Sequence, residues 1–157
     1  MLTPGQSAPS FSLYNTEKKL VSLNDFAGKN LIMLFFPMAF TNTCTAELCQ
    51  MRDDIATYAG MNADVVGISV DSPWTLAKFR DEQRLPFDLL SDFNKEASRA
   101  YQTIYETYQL DLKGVSKRSA FVIDGAGIVR YAEVLESVKD VPSFANIQQT
   151  LSTLSND

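Results

Sequence analysis

Histidine is absent from this 157-residue chain, and its absence removes several mechanisms at once. Ser-His-Asp and Cys-His hydrolases lose their base. Histidine-ligated haem and the usual catalytic zinc sites lose their ligands. Cysteine is almost as scarce, and the two present cannot complete a four-thiolate metal site. Chemistry is left to a thiol, a carboxylate, a lysine or a cofactor held by backbone. Positive charge is also in deficit, with 14 Lys and Arg against 19 Asp and Glu, a net charge of −5. Phosphate recognition needs a clustered positive surface, and the basic stretch at 113–118 is too short to be one, so no nucleic-acid partner is expected. Long hydrophobic runs are missing too. The longest, Leu31 to Phe36, falls far short of a membrane span, so no membrane association is expected. The opening residues show neither a charged n-region nor an apolar h-region, so no secretory signal is visible and the cytoplasm is the expected location. Disulfides there are usually transient and catalytic rather than structural.

What is present is ordinary in amount, with 45% hydrophobic and 21% charged residues, and is organised as one domain over 1–157 without repeats or linkers. Residues 10–15 and 19–23 pattern as short strands around a polar turn. "LIMLFF" is a continuous apolar run, as expected of a strand buried on both faces, and Pro37 stops it. The period then changes: Leu48, Met51, Ile55 and Tyr58 predict an amphipathic helix from about Thr43 to near Gly60. "ADVVGISV" (63–70) is the next buried strand, followed by a helix with Ser72 as N-cap and Pro73 at its first position. A short strand "FDLLSD", a short helix "NKEASRAYQ", a hairpin from Ser119 to Val134 and a closing helix through Phe144, Ile147, Leu151 and Leu154 complete the chain. Parallel crossovers combined with an antiparallel hairpin predict an α/β fold in three layers, a mixed sheet flanked by helices. Trp74, at the start of a helix, is expected in the core rather than as a ligand platform.

Both cysteines fall in "FFPMAFTNTCTAELCQ", residues 35–50. Cys44 sits where a strand gives way to a helix, where backbone N–H groups and the helix dipole favour negative charge. A thiol of ordinary acidity is only about 3% ionised at pH 7, while one with a pKa near 6 is about 90% thiolate. A helix N-terminus with one arginine is a setting that produces such a shift. The competing reading is a buried cysteine acting as a small hydrophobe. Cys49 lies five residues further on. In an intact helix the two side chains point about 140° apart and their Cα atoms lie about 8.5 Å apart. A disulfide needs less than about 7 Å, so a bridge would require local unwinding. Cys49 is therefore either a resolving thiol or an unrelated residue on a half-buried face. If the strand after Arg118 runs antiparallel to "LIMLFF", Arg118 comes to the same sheet edge as Cys44, although Lys117 is a rival and a solvated arginine the plain alternative.

The stretch Pro37-Met-Ala-Phe-Thr41-Asn-Thr-Cys44 resembles the P-x-x-x-T/S-x-x-C active-site pattern of the peroxiredoxins. "GQSAPSFSLYN", "GISVDSPWTLAKF" and "RSAFVIDGAGIVRYAEV" resemble other segments of that family, so the likeness covers nearly the whole chain. "LFFPMAFTNTC" is most similar to the alkyl hydroperoxide reductase E group, often single-cysteine enzymes. The C-x4-C spacing is similar instead to the bacterioferritin comigratory protein group, in which the second cysteine resolves the first.

The resemblance implies a thioredoxin-like fold and thiol-dependent reduction of hydroperoxides, with no metal or organic cofactor. It casts Cys44 as the peroxidatic cysteine and Thr41 as the hydroxyl that bonds thiolate and substrate. Pro37 shields the pocket, Arg118 is the activating cation, Glu47 has a supporting role and Cys49 is the resolving thiol. It further implies a thioredoxin-like or glutaredoxin-like reductant and a homodimer. The alternatives are a single-cysteine peroxiredoxin with Cys49 a bystander and a non-catalytic thioredoxin-like binding module. A disulfide oxidoreductase is disfavoured by the five-residue spacing.

Overall fold

The computed structural model describes residues 1–155, through which a seven-stranded mixed sheet runs. In chain order the strands are β1 (Ser12–Asn15), β2 (Leu20–Ser22), β3 (Asn30–Phe35), β4 (Ala63–Ser69), β5 (Asp88–Ser91), β6 (Ser119–Ile123) and β7 (Val129–Val134). The helices are α1 (Asn42–Asp53), α2 (Ile55–Ala59), α3 (Pro73–Gln83), α4 (Glu96–Ala100) and α5 (Phe144–Ser155). The strands lie in the order β2-β1-β5-β4-β3-β6-β7. β3, β4 and β5 are parallel to one another, while the β1–β2 and β6–β7 hairpins attach antiparallel at either side.

The central strand β3 divides the core. Ile32 and Leu34, with Phe36 just beyond the strand, pack against apolar residues of α1, α2, α3 and α5. Leu31, Met33 and Phe35 pack on the opposite face with Phe11, Ala97 of α4 and Tyr101. Alternate side chains of a strand point to opposite faces, so a run apolar at every position must be covered twice. This is the three-layer arrangement expected from the sequence. Gly67 of β4 is needed at the middle of that packing: a Cβ there would meet Leu89 at 2.7 Å and Phe36 at 3.2 Å.

Three local differences have physical causes. The helix expected from Thr43 to Gly60 breaks at Asp54 (φ −100, ψ 9) into α1 and α2. Aspartate is a weak helix former and is unfavourable at the negative end of a helix dipole, but it suits the start of the next one. The strand expected over 19–23 is shorter, because Leu23–Phe26 turns into a 3-10 helix boxed by Ser22 and Asp25. Trp74 is not a core residue. It is 67% exposed, and α3 buries Leu76 and Phe79 instead. The Ser72 cap and Pro73 start of α3 are as expected, with Ser72 Oγ accepting from the Thr75 N–H at 3.2 Å.

Candidate active site

β3 pairs with β6 antiparallel so that Phe35 faces Ser119. Arg118, one residue before β6, therefore stands at the edge where β3 ends and the chain turns into α1. That single register brings together positions 74 apart in sequence: Arg118 Nη1 donates to Cys44 Sγ at 3.2 Å. Cys44 is the third residue of α1 and is buried. Lys117 is not the cation at the thiol; its Nζ pairs with Glu136 at 3.0 Å and lies over the Tyr105 ring.

The same Nη1 donates to Glu47 Oε1 at 2.8 Å, and Nη2 reaches the Val138 carbonyl at 3.4 Å. Glu47 lies three residues after Cys44, on the same side of α1. Arg118 and Glu47 are both essentially buried. Burial pushes the Glu47 carboxyl up to about 7, against the opposing pull of Arg118. Burial also works against the Arg118 charge, but Glu47 and then Cys44 more than offset it, so the guanidinium is held more firmly protonated. Among the described residues, Glu47 Oε2 and Arg118 Nε have no hydrogen-bond partner. A buried donor left unpaired costs free energy, and Arg118 Nε is such a donor.

The turn from β3 to α1 is shaped by hydrogen bonds that leave the helix start open. Thr41 occupies the N-cap position with extended backbone (φ −100, ψ 152), yet its side chain caps nothing in the first turn. Its hydroxyl donates backwards to the Met38 carbonyl at 2.8 Å. The first-turn N–H groups have no intrahelical partner, so the Cys44 amide is not consumed by the cap that normally takes it. Thr41 Oγ, its proton committed to Met38, faces further partners as an acceptor. Pro37 is buried at the end of β3. Phe40 takes a left-handed backbone (φ 67), unusual for a bulky residue, and its ring meets Phe79 edge-on at 5.2 Å.

Cys49 is half-buried and separate from this cluster; its Sγ donates to Gln83 Oε1 at the end of α3, at 3.3 Å. Both cysteines are free thiols on one intact helix. The structure thus brings Cys44, Glu47 and Arg118 together, sets Thr41 and Pro37 on the adjoining turn, and leaves Cys49 on another face.

Two contributors escape a reading from sequence. Asp71 fixes the turn: its Oδ2 accepts from the Ala39 N–H at 2.8 Å and from Ser69 Oγ at 2.7 Å. A signal was available, since parallel neighbours β3 and β4 end at the same sheet edge and Asp71 follows β4 as Pro37 follows β3. Tyr108 is the other. Burial, and then the nearby Cys44 sulfur, push its phenol upward; it lies in an irregular loop that no periodicity marks. A concavity of about 560 Å³ lined by Tyr14, Pro73, Trp74 and Phe93 contains none of the site residues. Among the described residues no cluster of His, Cys, Asp or Glu suits a metal ion.

The family described as AhpC/TSA matches residues 4–132. Alkyl hydroperoxide reductase E of Mycobacterium tuberculosis is 36% identical over 137 residues, covering 85% of this chain and 86% of the relative. Peroxiredoxin Bcp of Bacillus subtilis is 32% identical over 153 residues, covering 96% of each chain. Among solved structures, peroxidoxin BcpB of Mycobacterium tuberculosis superposes with a TM-score of 0.83 at 27% identity, covering 99% of this chain and 98% of that one.

Proposed function

The chain belongs to the AhpC/TSA family and is a thiol-dependent peroxidase of the peroxiredoxin kind, and from that premise we propose that Cys44 is the thiol that attacks the peroxide. The observation that carries this reading is the buried contact between Arg118 and Cys44, 3.2 Å long, at the open start of α1. A guanidinium and helix-start amides both stabilise a thiolate over a thiol.

In the proposed reaction the Cys44 thiolate attacks one oxygen of H2O2 or an organic hydroperoxide in line with the O–O bond. The S–O bond forms as the O–O bond breaks, leaving a sulfenic acid on Cys44, and the departing oxygen takes a proton to become water or an alcohol. Negative charge grows on the departing oxygen. Arg118 and the Cys44 N–H are the donors proposed for it, acting in a site from which bulk water is largely excluded. Thr41 Oγ, with its own proton on Met38, accepts from the peroxide O–H and so orients it. Pro37 closes the site from the strand side. Glu47 holds the guanidinium against the sulfur and is assigned no proton transfer.

The sulfenic acid is then proposed to be resolved by Cys49 as an intramolecular disulfide, after α1 unwinds locally, and a thioredoxin-like or glutaredoxin-like dithiol protein restores both thiols. The half-buried thiol of Cys49, hydrogen-bonded rather than packed as a hydrophobe, supports this role. A dithiol reductant of that kind goes with a cytoplasmic location, and no helix among the described residues is long and apolar enough to cross a membrane. One sheet joining strands from residue 12 to residue 134 supports a single domain. Exposed Tyr14, Trp74 and Phe93, which line one concavity, offer apolar surface that a homodimer would cover.

Intact mass after one equivalent of H2O2 tests the assignment. The wild type should lose two hydrogens, Cys49→Ser should gain one oxygen, and Cys44→Ser should stay unmodified. An unmodified wild type would remove Cys44 from the role. A wild type that gains one oxygen like Cys49→Ser would make this a single-cysteine enzyme.

A further inference from the structure

Cys49 is held by contacts that the attack on peroxide does not use. Its Sγ donates to Gln83 Oε1 at 3.3 Å, and Arg52, three residues on, donates from Nη1 to the Gln83 backbone carbonyl at 2.6 Å. Residues three apart share a helix face, so one side of α1 delivers both groups to one residue. Gln83 is the last residue of α3, and its carbonyl is one of the acceptors a helix C-terminus leaves unpaired. Arg52 satisfies that carbonyl and sets positive charge at the negative end of the α3 dipole. Arg84 then takes a left-handed conformation (φ 53, ψ 48) and turns the chain away, leaving this end of α3 facing α1.

We propose that Gln83 is the positioning residue for Cys49: together with Arg52 it clasps the later turns of α1 to the end of α3, and it holds the second thiol away from Cys44 until the clasp opens. The inference rests on the reading of Cys49 as the resolving thiol. In the resolving step Cys49 gives up its proton and its sulfur attacks the sulfur of the Cys44 sulfenic acid. The S–S bond forms, the S–O bond breaks, and the leaving hydroxide takes up the proton as water. An intact helix keeps the two Cα atoms about 8.5 Å apart, beyond disulfide reach. Cys49 must therefore leave Gln83 before it can react, and the strength of that contact enters the rate of resolution while leaving the peroxide step alone. An amide suits the position because its oxygen accepts from S–H, and its NH2, turned inward, donates to a thiolate. A leucine does neither, and a carboxylate keeps only the first capacity.

Stopped-flow fluorescence or quenched mass analysis of the full chain with excess H2O2 separates a bimolecular oxidation from a unimolecular resolution. Gln83→Leu should leave the first unchanged and speed the second about two- to tenfold, the effect of one neutral hydrogen bond. Gln83→Glu, which restores the acceptor, should return the second phase to the wild-type rate or below it. Arg52→Gln removes the other half of the clasp and should also speed resolution. In the reduced protein, amide exchange at residues 49–53 should quicken in Gln83→Leu while β3 and β6 keep their protection. A Gln83→Leu protein that resolves at the wild-type rate or slower overturns the clasp, as does an Arg52→Gln protein that does so. If the wild type forms no Cys44–Cys49 disulfide and Cys49→Ser behaves identically, the resolving role itself falls and takes the clasp with it.

Discussion

Replacing Arg118 with methionine separates the electrostatic account of reactivity from a merely structural one. The guanidinium bridges Cys44 and Glu47 through one nitrogen, so its loss acts on both. Charge-assisted hydrogen bonds contribute about 1.5–3 kcal/mol. At about 1.4 kcal/mol per factor of ten, the rate of Cys44 with H2O2 at pH 7 should fall about 10- to 150-fold. The effect on stability should be smaller than for an ordinary buried pair, where removing one partner costs about 3–5 kcal/mol. The difference lies in Glu47, whose carboxyl stands at about 7 even with Arg118 present. Burial already favours its neutral form, so without Arg118 it takes up a proton rather than remaining as a buried unpaired charge. The remaining loss is that of hydrogen bonds and packing, about 1–2 kcal/mol, or a fall in Tm of about 2–8 °C for a chain of this size. Adding Glu47→Gln should change stability little further and should not restore the rate. Stopped-flow kinetics and thermal unfolding of the single and double variants provide both numbers. A folded Arg118→Met protein reacting within about threefold of wild type would refute the reasoning, because Arg118 would then contribute less than about 0.7 kcal/mol.

Glu47 itself should give stability a pH dependence. Its folded pKa is raised from 4.5 to about 7, so its contribution is fully present below about 4.5 and is lost as pH rises through about 7. Urea midpoints should therefore fall between pH 5 and pH 8 more steeply for the wild type than for Glu47→Gln; parallel profiles would contradict the shift. Asp71→Ala strips the acceptor from the Ala39 N–H and from Ser69. It should cost about 1–2 kcal/mol in chemical unfolding and also slow the peroxide reaction by loosening the turn that precedes Cys44. Unchanged kinetics would show that the turn holds without it.

The site was readable from sequence to the extent that it depends on local pattern and one register. The apolar run of β3, its stop at Pro37 and the change of period after Thr43 set Cys44 at a helix start. The hairpin beginning at Ser119 supplied a strand whose antiparallel pairing with β3 brings Arg118 to the same edge, as the Phe35–Ser119 register shows. What escaped depends on contacts between elements distant in sequence. Asp71 and Gln83 look like ordinary helix-flanking polar residues until the layers are stacked. The exposure of Trp74 follows from which face of α3 the sheet covers, a choice made by Leu76 and Phe79. The break at Asp54 was hidden because apolar residues keep helical spacing across it while the backbone turns. The sharing of Arg118 between a thiol and a buried carboxyl is a matter of side-chain reach that no spacing encodes.

The central claim is that Cys44 is a thiol made fast by its surroundings. Stopped-flow reaction of the reduced protein with H2O2, compared at equal thiol concentration with free cysteine and with Cys44→Ser, tests it directly. A rate constant at least about 100-fold above that of free cysteine, the scale of one well-placed donor in a site of this kind, and absent from Cys44→Ser, is the predicted result. A wild-type rate no greater than that of free cysteine, or a fast reaction that survives in Cys44→Ser, would contradict it.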